Sequence, residues 1–306
     1  MLADGRSGYE ALVRLLADGL PLARLGRFWE AVATFNSNVR CDRARYAAEL
    51  AARMHGEVGD ERARYYALTQ LVINWRTDNA SARAAFAAAR LLEDPTWPPR
   101  LLTQGALTEG LLLMAAGELE GARDACRSAV RLALAVSERQ ALAATVRLVE
   151  LDLACGDLSG ALQLGRPLAL SLRHSHHHAM RIDLLTLVLG ALLSSSELEE
   201  ARAIGAELLT LASRMDSGRL YAALDGMTLL ACRDGRYAAA ARVAVQADAA
   251  HAARGLEHRR PNDSRLRQDA THLLDQQLGA DWRRIAGLGA PLEDVRACAL
   301  ALGLED

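Results

Sequence analysis

Lysine is absent from the sequence, so each of its 36 basic residues is an arginine. A P-loop needs a lysine beside the β- and γ-phosphates, and a pyridoxal enzyme needs one for its Schiff base. Both chemistries are therefore excluded within this chain. The sequence also lacks GxSxG and HExxH motifs and a glycine-rich phosphate loop after a strand, so it indicates no catalytic residue and no cofactor.

Aromatic residues are scarce, at 4%, although hydrophobic residues make up 51% of the chain. The apolar content is mainly Ala and Leu, which favour helix, and the Val and Ile runs of a buried parallel sheet are missing. This composition predicts an all-α protein. With a net charge of −2 and no basic stripe, we expect no direct contact with nucleic acid.

Disulfide and zinc patterns are missing as well. The five cysteines are scattered, odd in number and never form a CxxC pair. This usage is typical of small buried hydrophobic residues in a reducing compartment. The N-terminus lacks the apolar core of a signal peptide, and the most apolar stretch, 184–193, is too short to span a bilayer. We therefore expect a cytoplasmic protein with no membrane partner.

One pattern occurs four times in the second half of the chain. Its copies are MAAGELEGAR at 114–123, LACGDLSGAL at 153–162, LSSSELEEAR at 193–202 and CRDGRYAAAA at 232–241. Their turn residues, Gly117, Gly156, Ser196 and Gly235, follow one another at intervals of 39, 40 and 39 residues. An alanine stands five residues after each turn: Ala122, Ala161, Ala201 and Ala240. A fixed interval of this kind indicates stacked supersecondary units.

Each unit is predicted to be two helices joined at the turn, where glycine adopts the left-handed conformation and the alanine allows the helices to approach closely. A single hairpin cannot bury both of its faces, so the units must stack on one another. We therefore expect a right-handed α-solenoid with a repeat of about 40 residues.

The predicted organisation has four parts. Residues 1–93 form irregular helical repeats, in which Gly26 followed by Ala31, and Asn79 followed by Ala84, repeat the pattern. A proline-rich break at 94–99 follows, where Trp97 is expected to pack rather than to bind. Regular repeats occupy 100–257, and capping helices occupy 258–306.

The hairpin pattern resembles tetratricopeptide repeats, and the tail strengthens a more specific resemblance. The matching tail residues are Pro261, Leu278 and Gly279, Trp282, Gly287, Leu292 to Asp294, and Ala299 with Leu300. In this order they resemble the motif that closes the C-terminal α-solenoid of bacterial STAND signalling ATPases, including LuxR-type and maltose-activator-like transcriptional regulators. DPTWPP at 94–99 resembles a linker in the repeats of that family, whereas Val295 departs from its usual alanine. The resemblance implies a sensor region that relays binding to the ATPase and DNA-binding modules of a parent protein.

The histidine run HSHHH at 174–178 is the most conspicuous local cluster. His174 and His178 are spaced so that one helical face would bring them together, and imidazoles bind zinc, nickel or copper. The run lies where one repeat passes to the next, so a solvated loop is the alternative interpretation.

The inner wall of the solenoid is the expected binding site. Positions 13, 9 and 6 residues before each turn share one face of the first helix. In the first three repeats, the polar residues at these positions are Gln104, Thr108, Arg147, Glu150 and Asp183. This groove suits a peptide, a protein or a small polar ligand, whereas the alternative is that Arg147 and Asp183 simply pair with each other.

These observations predict a non-enzymatic, ligand- or partner-binding sensor region of a bacterial signalling or transcriptional regulator. A stand-alone adaptor for protein–protein interaction is the first alternative. A helical enzyme is the second, and a deep pocket holding convergent groups with shifted pKa values would favour it.

Overall fold

The structure, a computed structural model, describes residues 19–37, 40–75, 79–214, 219–256, 259–289 and 291–305. These residues form fifteen α-helices and contain no β-strand. Within each of the two units described below, most helices that are adjacent in sequence pack against each other. The prediction of an all-α solenoid of helical hairpins is confirmed. The chain divides into two compact units between Trp97 and Pro98, inside the proline-rich segment.

The described residues of the first unit form four helices that pack in sequence order. They are α1 (Leu22–Asn36), α2 (Cys41–Glu57), α3 (Glu61–Trp75) and α4 (Ala80–Leu92). Trp97 closes this unit as a buried residue whose ring makes an edge contact with Tyr65, with the ring centroids 5.2 Å apart. Trp97 therefore packs in the core of its own unit.

The turn predicted at Gly26 is wrong, because Gly26 lies inside α1 and is buried. A Cβ atom on Gly26 would come within 2.7 Å of His55 Cε1, so glycine is needed there for close helix packing rather than for a turn. The turn of this unit is instead at Gly59, with a φ of 72°. Asn79 does stand at a helix boundary, where its side chain accepts a hydrogen bond from the Ala82 N–H at the start of α4.

The second unit contains four hairpins followed by three further helices. The hairpins are α5 (Pro99–Ala116) with α6 (Leu119–Leu134), α7 (Glu138–Ala154) with α8 (Leu158–Ser171), α9 (His178–Ser194) with α10 (Leu198–Ser213), and α11 (Leu224–Arg233) with α12 (Tyr237–Ala253). Short 3₁₀ turns at Leu172–His174 and Leu220–Ala223 precede α9 and α11. The helices that follow are α13 (Pro261–Leu278), α14 (Trp282–Gly287) and α15 (Asp294–Ala301).

All four predicted turn residues have positive φ, between 63° at Ser196 and 80° at Gly117. In each turn the next N–H donates to the carbonyl five residues earlier, which is the Schellman arrangement that ends a helix. These bonds are Glu118 to Leu113 at 2.9 Å, Asp157 to Asp152 at 2.8 Å, Glu197 to Leu192 at 2.9 Å and Arg236 to Ala231 at 2.9 Å. The repeated sequence therefore encodes a repeated helix end.

The alanines five residues after these turns are fully buried. Each sits in the first turns of the second helix, where a larger side chain would separate the two helices of the hairpin. The close approach is visible in the first hairpin, where a Cβ on Gly110 would come within 2.6 Å of Cys126 Sγ. Small residues on both helices thus set the hairpin geometry.

The last three helices pack back onto the final hairpins. Helix α15 contacts α10, α11 and α12, while α14 contacts α12 and buries Trp282. Helix α13 contacts α11 and α12 and also reaches α9 and α7. The C-terminal segment therefore covers more than the end of the stack.

Candidate functional site

The first helices of the second unit form a continuous row. Helix α5 contacts α7, α7 contacts α9, and α9 contacts α11. We call these four helices the first-helix row. The five predicted groove residues lie on its first three helices.

Gln104 and Thr108 of α5 do not both face an open groove. Thr108 is fully buried, and its hydroxyl donates to the carbonyl of Gln104 at 2.8 Å. This bond ties Thr108 to its own helix, and the role of Thr108 in a binding groove stays a prediction. Gln104 is partly buried, and its side-chain nitrogen has no hydrogen-bond partner among the described residues.

Arg147 and Glu150 of α7 form an ion pair one helical turn apart, with Arg147 Nη1 at 2.5 Å from Glu150 Oε2. The Arg147 side chain remains one-third exposed, at 33%. Glu150 is only 2% exposed, so a ligand reaches its carboxylate only if the covering residues move, and its role in a binding groove stays a prediction. Glu150 is covered by the residues that lead into α13.

Asp183 of α9 is partly exposed and pairs with Arg219, whose Nη1 lies 2.5 Å from its Oδ2. The alternative prediction, an ion pair between Arg147 and Asp183, is wrong. Arg147 donates a hydrogen bond to Glu150 of its own helix, and Asp183 accepts one from Arg219, in the segment before α11. Among the described residues, no ion pair joins these two side chains.

His174 and His178 do not share a helix. His174 ends the 3₁₀ turn, Ser175 is extended with a ψ of 159°, and His178 begins α9. The helical spacing that would have brought the two imidazoles together is therefore interrupted. Within the described part of the chain, no three His, Cys, Asp or Glu side chains are grouped so that they could hold a metal ion.

A polar segment missed by the sequence analysis lies across the first-helix row. We call residues 259–263, which lead into and begin α13, the arm. Arg259 Nε donates to Asp225 Oδ2 of α11 at 2.7 Å, and Arg260 Nη1 lies 3.4 Å from Glu150 Oε1 of α7. Asn262 Nδ2 donates to the Glu150 carbonyl at 3.1 Å. The arm therefore joins helices that are two hairpins apart.

Asp225 is the most deeply buried carboxylate of this contact, with no exposed surface. Burial raises the pKa of Asp225, although its bond to Arg259 acts in the opposite direction. Asp248 of α12 accepts hydrogen bonds from Arg259 and from Arg267, so four charged residues form one network. Only the arginine pair before Pro261 could have pointed to it in the sequence.

An open cleft of about 430 Å³ lies beside this network, between α12, α13 and α14. Its walls include Asp248, Arg267, His272 and Asp275. Burial lowers the pKa of Arg267, but Asp248 holds its guanidinium at 2.6 Å, and Trp282 Nε1 donates to Asp275 at 2.7 Å. The charged groups of the cleft are thus engaged in structural contacts.

Three of the five cysteine side chains are poorly suited to nucleophilic chemistry. Burial raises the pKa of Cys126 to about 11 and the pKa of Cys232 to about 12, and it also raises the pKa of Cys298. The nucleophile is the thiolate, which burial disfavours. These three residues act as small apolar core groups.

The sequence matches no protein-family model and no curated protein. Over the described residues, no helix combines the length and apolar character needed to cross a bilayer. The site must therefore be interpreted from its own contacts.

Proposed function

We propose that this chain is a non-enzymatic binding region that captures a peptide, a protein or a small polar ligand on its first-helix row. The observation that supports this is the arm itself. The row already seats one polar segment through charged side chains and a backbone carbonyl on α7 and α11. Charge-assisted contacts of this kind give recognition its strength and its geometry.

Fewer residues are accessible to a ligand than the sequence predicts. Arg147 and Asp183 keep exposed surface, at 33% and 25% of their side chains, and Gln104 is partly accessible. Thr108 and Glu150 are buried and reach a ligand only if their surroundings move. We therefore propose Arg147 and Asp183 as the first contacts.

The finer proposal is a sensor region of a bacterial signalling or transcriptional regulator, acting in the cytoplasm. It rests on the resemblance of the tail and of the proline-rich segment to the STAND family. Binding on the first-helix row would favour one of two packings of the hairpins, and the change would pass to the ATPase and DNA-binding modules. A stand-alone adaptor is the alternative, and a parent gene without an upstream P-loop segment would favour it.

The test is a thermal-shift screen of the protein with metabolites and short peptides, followed by calorimetric titration of each hit. A ligand that binds only the folded state raises the melting temperature. We expect hits to lose affinity in Arg147→Ala and Asp183→Asn and to keep it in Arg127→Ala, an exposed arginine of α6. The proposal fails if the hits bind Arg147→Ala and Asp183→Asn as tightly as they bind the unmodified protein, or if the screen finds no ligand.

A further inference from the structure

The arm is extended at Arg260, immediately before α13, because a proline follows. Pro261 is the first residue of α13, and Arg260 before it has φ −60° and ψ 153°. A residue that precedes proline is disfavoured in the helical region, so this geometry is encoded locally. Successive side chains of extended backbone point in opposite directions. Arg259 and Arg260 contact different helices, through Asp225 on α11 and Glu150 on α7. Arg260 also pairs with Asp263 inside the arm, with Nε 2.7 Å from Oδ2.

The contacts that seat the arm are ionic and incompletely satisfied. Glu150 and Asp225 are 2% and 0% exposed, so both carboxylates have lost their hydration. Among the described residues, Asp225 Oδ1 and Arg267 Nη1 have no hydrogen-bond partner. The attraction within a buried ion pair offsets the free-energy cost of desolvation only when the surrounding hydrogen bonds are complete. The network therefore contributes specificity more than stability.

The rest of α13 is held differently. Leu266, Ala270 and Leu274 are at most 5% exposed and belong to the main apolar core. Local opening takes place where few apolar contacts would be lost. The arm is thus able to lift from α7 and α11 while the later turns of α13 stay packed.

We propose that the arm is an internal occupant of a protein-docking surface formed by Glu150 and Asp225, and that a partner protein replaces it with its own pair of adjacent arginines. Charge complementarity identifies the partner, because the chain's own arm shows which side chains these two carboxylates accept. Arg259 divides its donors between Asp225 and Asp248, and Arg260 divides its donors between Glu150 and Asp263. The compact ammonium group of lysine cannot reach two carboxylates in this way. This inference rests on the proposed function and names the partner class of the same first-helix row.

The experiment uses the full chain and a fluorescent peptide with the sequence of residues 259–273, RRPNDSRLRQDATHL. Its binding is followed by fluorescence anisotropy. We expect weak binding to the unmodified protein, because the arm competes, and binding about tenfold tighter to Arg260→Gln, whose arm is weakened. A peptide beginning QQP should not bind, and one beginning KKP should bind more weakly than RRP.

The matched protein variants are Glu150→Gln, which removes a carboxylate of the surface, and Glu199→Gln, which removes a carboxylate that is 94% exposed on α10. We expect Glu150→Gln to abolish peptide binding and Glu199→Gln to leave it unchanged. Circular dichroism checks that both variants fold. Hydrogen exchange on the unmodified protein needs no variant: the backbone N–H groups of residues 262–266 should exchange faster when the peptide is bound.

Each contrary result overturns the inference. These results are equal binding of the QQP and RRP peptides, unchanged exchange rates of the arm when the peptide is added, and no binding of the RRP peptide to either the wild type or Arg260→Gln. A complex between Arg260→Gln and the unmodified protein would assign the surface to the arm of a second copy instead. If other ligands still need Arg147 while the arginine peptide does not bind, only this inference fails, and the proposed function stands.

Discussion

Arg260 and Glu150 are 110 residues apart in the sequence, yet Arg260 Nη1 lies 3.4 Å from Glu150 Oε1. The contact joins the start of α13 to α7, past the whole α9–α10 hairpin. A stack in which each hairpin touched only its neighbours would not contain it. The first-helix row is therefore crossed by the chain's own C-terminal segment.

This relationship predicts unequal effects for two Glu→Gln substitutions. Glu150→Gln keeps the shape of the side chain but leaves Arg147 without its counter-charge and leaves Arg260 with Asp263 alone. We expect the free energy of unfolding to fall by about 2 kcal/mol, less than for a fully buried pair because Arg147 is partly hydrated. Glu199→Gln should change it by less than about 0.5 kcal/mol. Urea denaturation followed by circular dichroism measures both, and equal effects would contradict the buried contact.

The backbone conformation of Ser196 predicts that replacing this residue with glycine stabilises the protein. Ser196 is exposed and, among the described residues, is the only non-glycine residue with positive φ. A side chain in this conformation costs about 1 kcal/mol, so Ser196→Gly should raise the free energy of unfolding by about that amount. Gly156→Ala is the matched reverse change, since its φ is 77° and a Cβ there meets no atom within 4 Å. It should lower stability by a similar amount, and changes of the same sign would exclude the shared turn geometry.

The four helix ends could be predicted from the sequence because each turn is determined locally. A residue able to take positive φ, followed five positions later by alanine, specifies a Schellman ending and a close helix contact. The same logic failed at Gly26, where the glycine serves packing against His55 rather than a turn. It also missed Gly59, because Arg64 stands where the pattern has alanine and the spacing to Gly117 departs from the repeat.

The candidate site was less predictable because its contacts are not local. Helical spacing places Glu150 on the inner side of α7, but only the tertiary structure shows that Arg260 and Asn262 cover it. The pairing of Asp183 with Arg219 similarly depends on how the segment before α11 returns to α9. Sequence periodicity identifies a face, whereas it does not identify which segment occupies that face.

Two buried histidines predict a loss of stability on acidification. Burial lowers the pKa of His55 and of His251 in the folded protein. In the unfolded chain both histidines have a pKa of about 6.5. As the pH falls through that value, the unfolded state binds protons that the folded state does not, so the free energy of unfolding decreases. The decrease continues until the pH drops below the folded pKa values.

Urea denaturation between about pH 8 and pH 5 measures this slope, which should approach about 1.4 kcal/mol per pH unit for each histidine. His251→Gln should flatten the slope, while His176→Gln, an exposed histidine, should leave it unchanged. Identical slopes in all three proteins would rule out the buried histidines as its cause.

The core cysteines should resist alkylation. Cys126, Cys232 and Cys298 are at most 3% exposed, and burial raises the pKa of each thiol. We expect iodoacetamide at about pH 8 to leave these three unmodified in the folded protein and to modify them in guanidinium chloride. Peptide mass mapping locates the labels. Rapid labelling of Cys298 in the folded state would mean that α15 does not pack as described.

A double-mutant cycle between Arg260→Gln and Glu150→Gln tests the central claim most directly, because it isolates the coupling of the arm to the first-helix row. Unfolding free energies of the wild type, the two single variants and the double variant are measured by urea denaturation. Because the arm contacts α7, we expect a coupling free energy of at least about 1 kcal/mol. The double variant should lose less unfolding free energy than the two single variants lose together. Additive effects, within about 0.3 kcal/mol, would show that the two side chains do not interact and would contradict the account.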